Sequence, residues 1–266
     1  MEDRISVSLV DGVADVRLVR GDKMNALDAA MFEALVGTAE KLKTQKGLRV
    51  VVLSGEGRAF CAGLDTSRFA AMGDKTSEVG LRDLATRTHG LANHSQQAVW
   101  GWRQLPVPVI AAVHGVAFGG GFQLALGADM RFLAPDTRMS IMEIKWGLVP
   151  DMAGTPILSQ LVRDDILREL TYTGRIFSAQ EAMSFGLATR ICEDPRAAAL
   201  ETAREIAGKS PDAIRAIKRL LNNLSIDPGP ALLAESVEQM KLIGSPNQTE
   251  AVRANIERRA PNFIDG

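Results

Sequence analysis

The stretch VIAAVHGVAFGGGFQ, residues 109–123, decides the fold class. It opens with five consecutive apolar residues, a pattern typical of a short strand that is covered on both faces. Its three consecutive glycines then begin a helix. The predicted elements are a strand at 109–113, a helix from 119–121 to about 128, and strands at 130–134 and 138–141. Strands that alternate with a helix in this way indicate an α/β protein.

Earlier in the chain the pattern predicts the same order of elements. Asp11-Gly12 is a two-residue hairpin signal, and Asp28 is suited to cap the helix that follows it. A long helix is expected to end before Pro106 and Pro108. The predicted elements of this half are strands at 5–10 and 13–19, a helix at 29–46, a strand at 49–54 and a helix at 81–103.

Beyond Pro195 the composition changes to Ala, Glu, Lys and Arg at helical spacing, and no strand pattern is evident. A chain of 266 residues is long enough for one large domain with an appendage. We therefore predict an α/β core at 1–194 and a helical C-terminal region at 195–266.

Composition excludes several classes of protein. A net charge of -1 with 24% charged residues favours neither disorder nor electrostatic binding of nucleic acid. The two cysteines, Cys61 and Cys192, have no CxxC spacing, so neither a disulfide framework nor a thiolate metal site is indicated. The acidic N-terminus lacks the apolar run of a signal peptide, and no apolar stretch approaches about eighteen residues. We expect a cytoplasmic protein that binds no membrane.

Two glycine-rich turns follow predicted buried strands, one at 58–65 (RAFCAGLD) and one at 114–123. Each turn could present a free backbone N–H at a helix start, and together they could form an oxyanion hole. The glycines could equally serve only close packing of strand against helix. Nucleotide loops are not indicated, because no GxGxxG follows the first strand and Gly208-Lys209-Ser210 lacks the earlier glycine of a phosphate loop.

Four motifs in order and spacing resemble the enoyl-CoA hydratase/isomerase (crotonase) family over nearly the whole chain. They are KMNAL at 23–27, FCAGLD at 60–65, GGG at 119–121, and the segment from Met142-Glu143 through Gly154-Thr155. The resemblance implies a spiral of ββα units whose C-terminal helices make trimer contacts, often in a hexamer of two trimers. It also implies proton transfer beside the carbonyl of an acyl-CoA thioester, with coenzyme A as part of the substrate and no separate cofactor or metal.

The resemblance also assigns roles to individual residues. It places the oxyanion hole at the N–H groups of Leu64 and Gly120, where two donors would hold the thioester oxygen. The residues that it places along bound substrate are Lys23, Met24, Ala62, Leu64, Asp65, Gly119 and Gln123. Among these, Ala62 would meet the adenine through backbone atoms.

The acid and base positions depart from the two-glutamate hydratase pattern. The family's two carboxylate positions fall on Gln123 and Glu143, and a glutamine can hold a water or a carbonyl but cannot take its proton. Glu143 has apolar neighbours, which favour a partly buried carboxyl with a raised pKa over an exposed acid at a helix start. Asp151 stands where typical hydratases have glycine and dienoyl-CoA isomerases have aspartate. It is either a second catalytic carboxylate or a turn residue after Pro150.

Other candidates favour ordinary structural roles. His89 and His94 are five residues apart on the predicted helix, which is not the spacing of a zinc pair. Trp100 and Trp102 either line the acyl pocket or pack in the core. The leading function is isomerisation or hydration of an enoyl-CoA, tilted toward isomerisation by Gln123. The alternatives are an acyl-CoA hydrolase of the same fold and a non-catalytic scaffold that binds acyl-CoA or RNA.

Overall fold

The computed structural model describes residues 4–66, 84–224 and 245–265, together with positions 237, 239, 241 and 243. The strands of this part of the chain are β1 (Ile5–Val10), β2 (Val13–Leu18), β3 (Val50–Gly55), β4 (Val109–Val113), β5 (Val116–Phe118), β6 (Met130–Leu133), β7 (Arg138–Ser140), β8 (Phe177–Ser178) and β9 (Arg190–Ile191). They form two sheets, one of six strands in the order β1-β2-β3-β4-β6-β9 and one of three in the order β5-β7-β8.

Helices connect these strands and cover the sheets. They are α1 (Ala29–Lys43), α2 (His94–Arg103), α3 (Gly120–Leu126), α4 (Gly154–Leu158), α5 (Asp164–Thr173), α6 (Ala179–Ser184), α7 (Pro195–Ala207), α8 (Pro211–Asn222) and α9 (Pro246–Glu257). Two short 3-10 turns, Gly21–Lys23 and Glu143–Trp146, lie in loops. None of the helices among the described residues is long and apolar enough to span a bilayer.

The large sheet begins with the predicted hairpin and continues in parallel. In the antiparallel pair of β1 and β2, Ile5 lies opposite Leu18. The turn residues Asp11 and Gly12 both have positive φ, 50° and 78°, as a tight two-residue hairpin requires. The remaining neighbours, from β2 through β3, β4 and β6 to β9, are all parallel. Parallel strands need covering on both faces, which agrees with the continuous apolar run of β4.

A second layer of short pairings turns the repeated units into a spiral. Leu27 pairs with Leu64, Cys61 pairs with Ala117, and β5 in turn pairs in parallel with β7. Each unit therefore contributes one strand to the large sheet and one short extended segment to this inner layer. The spiral of ββα units that the family resemblance implied is confirmed.

Helices cover the two faces of the large sheet separately. One face packs against α1 and α2, which also contact each other. The other face packs against α7, through Ala199, Ala203 and Ala207. The sheet residues of this second cluster are Val13, Val50, Val52, Ile110, Ala112 and Phe132. The first helix of the predicted C-terminal region thus lies on the sheet itself, while the division of the chain at residue 195 stays a prediction.

The helix predicted at 81–103 begins much later than expected. Residues 81–83 lie outside the described part of the chain, and residues 84–93 form turns rather than helix. The helix α2 starts at His94 because Asn93 and Gln96 form a capping box, in which each side chain bonds the other residue's backbone N–H. His89 and His94 therefore do not share a helix. In the described residues no cluster of His, Cys, Asp and Glu could hold a metal ion.

Candidate active site

The two glycine-rich turns lie against each other at a distance that only glycine allows. A Cβ atom added at Gly63 would lie 2.5 Å from the carbonyl oxygen of Phe118 and 3.6 Å from the nitrogen of Gly120. A Cβ added at Gly121 would collide with the carbonyl oxygen of Cys61. The glycines therefore do serve close packing, and this packing brings Leu64, directly after Gly63, beside the start of α3.

The backbone N–H groups of Leu64 and Gly120 are available at this contact. Neighbouring donors are occupied, because Asp65 N bonds the Leu27 oxygen at 3.1 Å and Gly119 N bonds the Ser140 oxygen at 3.0 Å. No described residue accepts a hydrogen bond from Leu64 N or from Gly120 N. Two free donors on adjoining turns are the arrangement that an oxyanion needs.

Glu143 lies buried against the same turns. Its Oε1 accepts a hydrogen bond of 2.6 Å from Gln123 Nε2. Its Oε2 is buried and has no hydrogen-bond partner among the described residues. A Cβ added at Gly119 would lie 3.4 Å from Glu143 Oε1, so the carboxylate packs directly against the turn. An unbonded carboxylate oxygen beside two free N–H donors is suited to remove a proton next to a polarised carbonyl.

The pKa of Glu143 is raised. Burial is the main cause, and the charge of Asp151 acts in the same direction, whereas hydrogen bonds from its own backbone and from Gln123 oppose the shift. A carboxyl whose pKa moves toward neutrality can both accept and return a proton.

Gln123 is a buried bridge rather than an open pocket-lining group. Its Oε1 accepts hydrogen bonds from Met152 N at 2.9 Å and Gly154 N at 3.0 Å. These two backbone donors fix which end of the amide faces Glu143, so Nε2 must donate to the carboxylate. Gln123 thus ties the base to the backbone on either side of Ala153, and its oxygen is not available to hold a water.

Asp151 stands at the edge of this arrangement. The residue directly follows Pro150 and precedes the pinned backbone of Met152, and it is exposed in the single chain. Its pKa is nevertheless raised, because partial burial of the carboxylate disfavours its charged form, and a hydrogen bond from its own backbone opposes the shift. Its negative charge is the smallest of the causes that act on the pKa of Glu143, which it raises.

The sequence profile described as enoyl-CoA hydratase/isomerase matches residues 9–266. The chain belongs to the enoyl-CoA hydratase/isomerase family. It is 31% identical over 259 residues to a probable enoyl-CoA hydratase of Bacillus subtilis, with 96% of each chain covered. It is 30% identical to the human mitochondrial Delta(3,5)-Delta(2,4)-dienoyl-CoA isomerase, covering 93% of this chain and 77% of that protein. Among solved structures, enoyl-CoA hydratase from Bacillus anthracis superposes with a TM-score of 0.88 at 31% identity, covering 98% of each chain.

The residues predicted along coenzyme A form one surface in this member of the enoyl-CoA hydratase/isomerase family. Met24 has a left-handed backbone (φ 51°), and its carbonyl accepts a hydrogen bond from Ala62 N at 2.9 Å. Lys23 ends a short 3-10 turn and is exposed. Asp65 accepts a 2.6 Å hydrogen bond from Arg20, so its carboxylate is engaged within the protein. Contact of these residues with coenzyme A stays a prediction.

Sequence reasoning missed the side chains that join the loops of this hydratase/isomerase site. Asn25, fully buried with φ 54°, accepts from Arg20 N at 2.9 Å and donates to the carbonyls of Glu56 and Ala59 at 3.0 and 2.9 Å. The available signal was its place inside the KMNAL motif, since asparagine tolerates left-handed backbone better than most residues. Arg20 lies outside every motif and gave no signal.

Proposed function

We propose that this acyl-CoA enzyme moves a double bond along an enoyl-CoA thioester, with Glu143 as the base. The observation that carries the proposal is the Gln123 amide, which donates to Glu143 and is itself held by two backbone N–H groups. A group bonded in this way cannot take a proton from water, so the site offers one buried base where a hydratase uses two.

The chemistry follows from the free oxygen of Glu143. Its Oε2 takes a proton from C2 of a 3-enoyl-CoA, and the electron pair of that C–H bond moves onto the thioester oxygen. The N–H groups of Leu64 and Gly120 stabilise this charge, each by about 3–4 kcal/mol. The double bond then re-forms between C2 and C3 as C4 accepts a proton. Atoms and charge balance, because the proton that is lost at C2 is replaced at C4.

Asp151 is proposed as the second proton carrier. In a 3,5-dienoyl-CoA the proton returns at C6, well beyond C4, where a second carboxylate on another side of the site is useful. The raised pKa of Asp151 and its influence on Glu143 support this role. The similarity to a dienoyl-CoA isomerase supports it as well.

The test is an assay of 2-enoyl-, 3-enoyl- and 3,5-dienoyl-CoA in ordinary and deuterated water. Isomerisation of either 3-unsaturated substrate without accumulation of a 3-hydroxyacyl-CoA supports the proposal. Because Asp151 is exposed, its proton exchanges with solvent, and the dienoyl product should therefore carry solvent deuterium at C6. If the protein converts only the 2-enoyl substrate, and gives a 3-hydroxyacyl product, the isomerase proposal is wrong.

Hydration of a 2-enoyl-CoA is the second candidate, because several of the most similar relatives carry hydratase names. It would require a water positioned by Glu143 and Asp151, since the oxygen of Gln123 is occupied. The same assay separates the two activities.

We further propose a cytoplasmic trimer or hexamer that needs no cofactor or metal beyond the coenzyme A of its substrate. The exposed face of α8 supports self-association, because Ile217 and Leu221 are 50% and 60% exposed there. Light scattering at micromolar concentration tests this, and a monomer mass would contradict it.

A further inference from the structure

Arg20 joins the two segments that form the proposed substrate surface. Its Nη1 donates to Asp65 Oδ2 at 2.6 Å and to the carbonyl oxygen of Ala26 at 3.0 Å. The side chains of Arg20 and Asp65 are only 16% and 14% exposed. Because a pair that is mostly removed from water is weakly screened, it constrains the segments that it joins more strongly than a surface pair does.

The two residues that Arg20 holds lie next to a short backbone pairing, because Asp65 follows Leu64 and Ala26 precedes Leu27. Asp65 N donates to the Leu27 oxygen at 3.1 Å, and Leu27 N donates to the Gly63 oxygen at 2.8 Å. Leu64 therefore lies between two backbone hydrogen bonds to Leu27. Arg20 bonds both segments of this short ladder, at Ala26 on one segment and at Asp65 on the other. The direction of the Leu64 N–H depends on that ladder.

We propose that Arg20 is a positioning residue, which aims the Leu64 N–H at the thioester oxygen through its ion pair with Asp65. The inference rests on the proposed function, because only an oxygen that Leu64 and Gly120 hold gives this direction a catalytic meaning. Loss of a whole oxyanion donor costs about 10²–10³ in kcat. A donor that is present but misdirected costs less, so Arg20→Gln is expected to lower kcat by about tenfold to a hundredfold.

The Michaelis constant separates positioning from direct substrate binding. Hydrogen bonds to the thioester oxygen strengthen as charge develops, so their loss lowers kcat and leaves KM nearly unchanged. If Arg20 instead bound the phosphates of coenzyme A, its removal would raise KM. A KM increase without a loss in kcat would overturn the proposal.

The spectroscopic test uses butanoyl-CoA with a ¹³C-labelled thioester carbonyl, which contains no double bond to move or hydrate. Binding to the native protein should lower the infrared carbonyl frequency, because two donors polarise the bond. Arg20→Gln and Asp65→Asn should each lose part of that shift. Arg49→Gln is the matched control, since Arg49 likewise donates to a carboxylate, that of Asp265 at 3.1 Å, and to a carbonyl, that of Ala207 at 3.0 Å, and in the part of the chain that the structure describes has no bond to Asp65 or Asp28.

The outcomes distinguish this inference from the proposed function. No carbonyl shift in the native protein would refute the oxyanion hole itself, whereas a native shift that both Arg20→Gln and Asp65→Asn retain would refute only the role of Arg20. The double variant should lose less than the sum of the two single variants, because both remove the Arg20–Asp65 pair, whereas only Arg20→Gln also removes the bond to Ala26 and the 3.6 Å contact with Asp28. If Arg20→Gln does not fold, Asp65→Asn and its carbonyl shift decide the matter alone.

Discussion

Replacement of Gln123 by glutamate tests how the structure tunes its base. In the native site Gln123 Nε2 donates to Glu143 Oε1 at 2.6 Å, and this bond stabilises the ionised carboxylate against the burial that raises its pKa. Gln123→Glu removes the donor and places a carboxylate oxygen in the same position. Two carboxylates so close cannot both be ionised at neutral pH, and the pair shares one proton.

The magnitude follows from the bond that is lost. A hydrogen bond to a charged group contributes about 1.5–3 kcal/mol, which corresponds to roughly a tenfold to hundredfold change in proton affinity. Repulsion between the two carboxylates acts in the same direction. The acidic limb of kcat/KM against pH should therefore move to higher pH, because a protonated Glu143 is no base. At a pH on the native limb the variant should be at least about tenfold slower, and it should recover as the pH rises.

The assay is the pH dependence of 3-enoyl-CoA isomerisation, followed through the absorbance of the conjugated product. Gln123→Met is the matched control, because it has similar length and removes the donor without adding a charge. Its acidic limb should move less than that of Gln123→Glu. An acidic limb at the native pH in Gln123→Glu would refute the idea that this amide tunes Glu143. If Gln123→Glu gains the ability to hydrate 2-enoyl-CoA, the carboxylate at position 123 acts as the second base that the native amide cannot provide.

Three further substitutions test the remaining parts of the site. Glu143→Gln should lower kcat by about a hundredfold to ten-thousandfold. Its thermal midpoint should not fall at neutral pH, because burial disfavours the ionised group there, and any gain should vanish in acid, where Glu143 is protonated. Asp151→Asn should slow dienoyl turnover by at least about tenfold. If the variant is as fast as the native protein on all three substrates, Asp151 is not a proton carrier. Gly120→Ala places a Cβ 2.8 Å from both Leu27 Cδ1 and Met152 Sδ, so kinetics and calorimetry should show lower kcat and lower stability.

Local signals account for the parts of the fold that the sequence predicted well. The Asp11-Gly12 turn and the Asp28 cap of α1 were confirmed, and each depends on residues at most a few positions apart. The helix predicted at 81–103 was wrong in its described first part, where Leu84 and Leu91 are exposed. The prediction used the prolines that follow the end of the helix, whereas its start is determined by the Asn93 cap, a signal that was also present in the sequence.

The burial of Glu143 was predicted, but only part of the reason was right. Ile144 and Trp146, two of the apolar neighbours on which the prediction depended, are 47% and 46% exposed. The carboxylate is instead covered by the Gly119 turn and by Gln123. Neighbours in sequence indicate the character of a segment, whereas burial depends on which distant segment packs against it.

Distance along the chain also explains why the hydrogen-bond partners of Gln123 and Asn25 could not be predicted. The partners of Gln123 Oε1 are backbone N–H groups 29 and 31 residues later, and no periodicity indicates a backbone donor. Asn25 uses one acceptor and two donors, which bond Arg20 on one segment and Glu56 and Ala59 on another. Aspartate would keep the acceptor and lose both donors, so asparagine alone among side chains of this size satisfies the site. This requirement arises only when the loops pack together. The backbone groups that folding leaves without hydrogen-bond partners determine which buried polar side chain can satisfy them.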